Sequence, residues 1–252
     1  MSLIKSLTKR NRLNAAIKTV AQARQSEGGK ADQLFLKAYD EFWDTISDDL
    51  VLSKTLYNWG FALLQQGKSK PQDVAIPLYE QAIKKFEFCL TIEPHFLGAA
   101  IDGGVTMMEL ARIKAVDIND PLYHAAKAQF ILADKIQKGS AIYNFACISA
   151  LMGDDEACLQ ALKDAVDYGS LPNKDEVLND PDLDKVKSKT WFIEFIESLK
   201  ELSKQDNTHK SAAIMEKEAA AKEAESKGTD EPELSEAKTE VVTETETKTD
   251  EE

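Results

Sequence analysis

The chain is poor in the residues that build catalytic and redox centres. Of its 252 residues only three are cysteine and three are histidine. Cys89, Cys147 and Cys158 are odd in number, lack metal-type spacing and fall on apolar helix faces, so they read as reduced, buried thiols. His95, His124 and His209 share no ligand spacing. No GxxxxGK[ST], GxGxxG or GxSxG occurs, which removes the common phosphate-cradling loops and the nucleophile elbow. Asp180, Asp182 and Asp184 alternate as at the start of a calcium loop. Lys185, however, stands where that loop needs glycine, and no glutamate closes it. Turn and cap chemistry is the plainer reading. No catalytic residue, cofactor or metal is expected, and the chain is read as a non-enzyme.

Long apolar runs are missing too. Nothing approaches the roughly 18 residues of a membrane span, and the start has no apolar stretch of the secretory kind. Positive charge is in deficit, with a formal net charge of -13. That disfavours nonspecific binding to nucleic acid, which needs a basic footprint. The first 26 residues reverse the balance: Lys5, Lys9, Arg10, Arg12, Lys18 and Arg24 meet no acid. A cytoplasmic location is expected. An organelle transit peptide, or a membrane-surface role for this basic start, is the alternative. Aromatics stop at Phe195. From Lys204 onward 15 acids stand against seven bases, a composition that cannot bury enough apolar surface to order itself, so residues 204–252 are expected to form a disordered acidic tail.

What the chain does have is a period. Two amphipathic helical patterns, Leu56 to Gly67 and Tyr79 to Pro94, flank a polar break with Gly67 and Pro71. Shifted by 44 residues, Gly60 lands on Gly104, and Ala82, Phe86 and Cys89 land on Ala126, Phe130 and Ala133. Shifted back, Gly60 meets Ala16, and Ala82 and Phe86 meet Ala38 and Phe42. Small residues recur where two helices approach closely, and large ones where a neighbouring pair must be filled. A fixed step of this size marks a stacked array of helix pairs. Helices are expected near 11–25, 31–47, 52–67, from about Pro77 to Pro94, 96–115, 121–137, 140–152 and 154–168. A short turn near 175–186 and a helix near 188–203 follow. Residues 1–10 are read as a flexible basic start, and 11–203 as the repeat domain.

The fourth unit, Tyr143 to Asp155 and then Glu156 to Val166, has an aromatic and Asn before its small residues and a Gly-Asp turn before its second helix. It resembles a tetratricopeptide (TPR) motif. The second unit is similar at Tyr57, Asn58, Gly60, Ala82 and Pro94, with about ten residues added, enough for roughly one extra turn in each helix. Leu178 to Asp184, followed by the aromatic stretch at Trp191, is similar to the segment that closes many bacterial TPR arrays. The resemblance covers about 13–169. It implies an all-α, right-handed superhelical stack of four helix pairs, an α-solenoid, with a capping helix.

The same resemblance implies that function lies in a groove lined by the first helix of each pair. Its slots fall on Leu13, Ile17 and Val20, on Tyr57, Phe61 and Leu64, on Ile101, Val105 and Met108, and on Tyr143, Cys147 and Ala150. Nearly all are apolar. That departs from TPR domains that clamp a C-terminal carboxylate, which need Lys, Arg and Asn. Asn58 and Asn144 are present, but Asp102 stands where a cation or amide is wanted. An apolar groove needs a cover. The helix near 188–203 supplies one candidate, with Trp191, Phe192, Phe195, Ile196, Leu199 and Leu202. The expected function is a protein-binding scaffold whose partner is a protein or peptide, an amphipathic helix above all. A self-associating structural protein is the rival reading.

Overall fold

The periodic apolar pattern folds as eight helices in four antiparallel pairs. The structure, a computed structural model, describes residues 2–199 apart from residue 48. The helices are α1 (Ser2–Arg24), α2 (Gly28–Trp43), α3 (Leu52–Lys68), α4 (Gln72–Ile92), α5 (Leu97–Ile113), α6 (Pro121–Ile136), α7 (Ile142–Met152) and α8 (Asp155–Asp167). A one-turn-and-a-half helix, α9 (Lys174–Asn179), a 3-10 turn (Pro181–Leu183) and a last helix, α10 (190–199), complete the described chain. No strand occurs among the described residues. The strongest packing is within each pair, and each second helix also touches the first helix of the next pair. The first helices α1, α3 and α5 meet along one face. The expected acidic tail lies outside the described residues.

Local chemistry sets the boundaries. Asp120 accepts the amide of Leu122 at 2.9 Å and Pro121 opens α6. Gly153, at φ +78°, closes α7 in the left-handed conformation, and Asp154 then caps α8 through the amide of Ala157. Asn173 and Glu176 form a reciprocal capping box on α9.

The period is visible in the core. Phe42, Phe86 and Phe130, 44 residues apart, are all fully buried. Phe86 and Phe130 each project from a second helix toward the glycine of their own first helix. A methyl group on Gly60 would sit 2.9 Å from the Phe86 ring, and one on Gly104 would sit 2.5 Å from Phe130. Both glycines therefore mark where backbone must approach ring. Gly104→Ala should cost about 1–3 kcal/mol, because Phe130 has no solvent side to retreat to. Pairing it with Phe130→Leu should return part of that loss in urea denaturation. A fully additive double variant would show that the two sites do not touch.

Two expectations change. α1 begins at Ser2 rather than near 11, so the basic start is part of the first helix. The added residues of the second unit also go further than one turn. α3 and α4 have 17 and 21 residues against 11 and 13 in α7 and α8, roughly two turns each.

Candidate functional site

The first-helix face divides into two halves of different chemistry. Over α5 and α7 the chain covers itself, and the cover is α9 with the 3-10 turn rather than the later aromatic helix. A cavity of about 320 Å³ remains there, lined by Lys68, Val105, Met108, Glu109, Arg112, Asn144 and Cys147 on one side and by residues 176–182 on the other. The cover is held by charge. Arg112 donates from Nε and Nη2 to one oxygen of Asp182, at 3.2 and 3.0 Å, and from Nη1 to Glu109 at 2.6 Å. The hydroxyl of Tyr143 donates to Asp180 at 2.7 Å, and Asp180 in turn caps the turn through the amide of Asp182. Val177 and Leu183 of the cover, and Val186 just after it, are completely buried.

The sulfur of Cys147 and the carboxylates of Asp180 and Asp182 lie within 4.8 Å of one another. Their chemistry fits a latch better than an ion site. Burial, reinforced by Asp180 and Asp182, pushes the Cys147 thiol well up, so it keeps its proton and points it at Asp180, 3.7 Å away. Burial also raises Asp182, and the Arg112 guanidinium supplies the compensating charge.

The slots named from the sequence do not share one environment. Leu13, Val20, Leu64, Met108, Cys147 and Ala150 are buried. Tyr57, Phe61, Ile101, Val105 and Tyr143 are half-buried, and Ile17 alone is exposed, at 37 %. Phe61 is further enclosed by the Arg24 guanidinium, 5.4 Å above its ring. Phe192, Phe195 and Ile196 are buried, but none of them lines either cavity.

Over α1 and α3 the face is open. A pocket of about 300 Å³ is lined by Arg10, Leu13, Asn14 and Ile17 from α1, by Lys54 and Asn58 from α3, and by Leu50 and Val51 just before α3. Leu13 and Val51, 3 % and 6 % exposed, form an apolar floor, and the polar groups form the rim. Of that lining only Leu13 and Ile17 are among the groove slots that the resemblance implies. The signal for the rest was present: the 44-residue step carries Arg10 onto Lys54 and Asn14 onto Asn58.

Between the halves, Asp102 accepts from the Tyr57 hydroxyl at 3.0 Å. Burial raises this carboxyl, against the lowering effects of Tyr57 and Lys68. The folded state thus holds the proton more tightly than the unfolded chain, so this group's contribution to stability falls as pH climbs through its raised value. Asp102→Asn keeps an acceptor for Tyr57 and removes the buried charge. It should raise Tm near neutral pH, and the gain should shrink in acid of about pH 2.5, well below the ordinary Asp value of about 3.9, where the wild-type carboxyl is neutral in both states. Thermal unfolding at both pH values checks this, and an equal gain at both would contradict it.

On this evidence the chain is an all-α helical-repeat protein, and no helix among the described residues is long and apolar enough to cross a membrane. No protein-family model matches the sequence, and no curated protein matches it.

Proposed function

We propose that this protein is a non-enzymatic binding scaffold of the TPR type, which holds a segment of a partner protein on its first-helix face. The supporting observation is the contrast between the two halves of that face. Over α5 and α7 the chain's own acidic, apolar segment already lies on it. Over α1 and α3 an apolar-floored pocket with polar walls is left uncovered. That the face takes one helical segment of its own chain supports its taking a segment of another. Panning a random peptide library on the full chain tests this. Binders should emerge that Ile17→Asp no longer holds while its helical circular dichroism is unchanged. Binders indifferent to Ile17, or none at all, would sink the reading.

Self-association is the second reading. It draws on Trp43 and Phe88, each 65 % exposed on the second helices. A monomer mass by light scattering across a dilution series removes it.

A further inference from the structure

The sequence reads the first-helix face as apolar, yet its open half carries two cations and two amides. Arg10 and Lys54 reach the same pocket from neighbouring helices, one period apart. Two like charges brought to one recess repel each other, an arrangement that a carboxylate between them relieves. Among the described residues, none supplies it: no ion pair or side-chain hydrogen bond reaches Arg10 or the Lys54 amine. The contrast on α1 itself is informative. Arg12, two positions on, is engaged with Asp44 at 3.3 Å. Asn14 is exposed and also without a protein partner, while Asn58 gives one N–H to the Lys54 carbonyl at 2.7 Å and keeps a second. Donors of this kind suit a carboxylate or a peptide carbonyl.

Resting on the binding-scaffold reading above, we propose that the α1–α3 pocket selects partner segments by charge. It takes an internal acidic residue next to an apolar one. The carboxylate goes to Arg10 and Lys54, the amides of Asn14 and Asn58 hold the backbone, and the apolar side chain rests on Leu13, Ile17 and Val51. The pocket's 300 Å³ lies at the small end of ligand sites, which suits a pair of side chains rather than a fold. Nucleic acid is opposed by the net charge of -13. A lipid surface is flat and would leave the buried floor unused.

The experiment titrates the isotope-labelled full chain with three peptides of identical length and follows amide NMR signals, including the side-chain amides of Asn14 and Asn58. The first carries Glu-Leu-Glu within Gly-Ser spacers and has both ends blocked. The second is its Gln-Leu-Gln twin. The third is that twin with a free C-terminal carboxylate. The acidic peptide should shift both side-chain amides and bind about tenfold more tightly than the Gln twin, with the advantage eroding as salt rises. Arg10→Gln combined with Lys54→Gln should abolish the preference. Arg10→Glu with Lys54→Glu should transfer it to a Lys-Leu-Lys peptide. Both residues are exposed and unpaired, so these variants should keep wild-type helicity.

Equal binding of acidic and amide peptides, lost in Ile17→Asp, would overturn the charge preference and leave the scaffold reading standing. Binding independent of Ile17, or no binding, would overturn both. Preference for the free terminus would reject an internal acid. Flotation of the protein with anionic vesicles that depends on Arg10 and Lys54 and displaces the acidic peptide would replace a peptide with a membrane.

Discussion

Phe86→Ala will remove about 3–5 kcal/mol of stability and broaden the unfolding transition. Phe86 is 1 % exposed on α4. Its ring meets Gly60 of α3, its Cβ would be 3.4 Å from a methyl group on Gly103 of α5, and the Tyr57 ring lies 6.1 Å away. One side chain thus fills space within its own pair and against the next. Truncation removes the transfer energy of the ring and leaves a cavity that glycine-lined helices cannot collapse into without losing their other contacts. In a stacked array the loss at such a position also weakens the coupling between neighbours, so the two ends should begin to unfold apart. The comparison is Phe88→Ala, two residues on and 65 % exposed, which should change stability by less than about 0.5 kcal/mol. Urea denaturation of both variants decides it. Similar losses for the two would mean that Phe86 is not the plug between pairs.

The array itself was legible because it is built from local, repeated instructions. The step linking Phe42, Phe86 and Phe130, and the step linking Gly60 to Gly104, each name a contact that the structure contains. Helix ends marked by Asp-Pro or Gly-Asp fell within a residue or two of their expected places, as at Pro121 and Asp155. The start of α1 was less legible, since nothing stops a helix before Leu13 and basic residues tolerate one well. The cover over α5 and α7 was hidden in the sequence for a different reason. Aromatic weight pointed to Trp191 and Phe195, but what fixes the cover is Arg112 meeting Asp182 across 70 residues. A pair that distant leaves no periodic trace. The open pocket shows the opposite failure. Its rim repeats at the same step as the core, yet an apolar template for the groove passes over Arg10, Asn14 and Lys54.

Arg112→Ala should release the cover and cost about 2–3 kcal/mol, less than the roughly 3–5 kcal/mol for a fully buried pair, because the Arg112 side chain is 32 % exposed. Asp182 is 7 % exposed, and Arg112 is its counter-charge. Glu109 would lose the same guanidinium. Two carboxylates would then face each other across a cavity without compensation, and the least costly relief is for residues 174–184 to lift into solvent. The effect should be regional. Hydrogen exchange should accelerate at Val177, Leu183 and Val186 and stay slow in α3 and α4, whose core does not include Arg112. It should also depend on pH with a definite sign. Asp182 already lies above the usual carboxylate range, and loss of Arg112 raises it further, so the variant regains stability as pH falls and the carboxyl takes a proton. Arg112→Met with Asp182→Leu should recover most of the loss near neutral pH, because apolar side chains fill the place of the pair without a desolvation cost. Uniform acceleration of exchange across all four helix pairs would show that the segment is part of one cooperative core. Unchanged exchange at 174–184 would show that the buried aliphatic side chains hold the cover without the arginine.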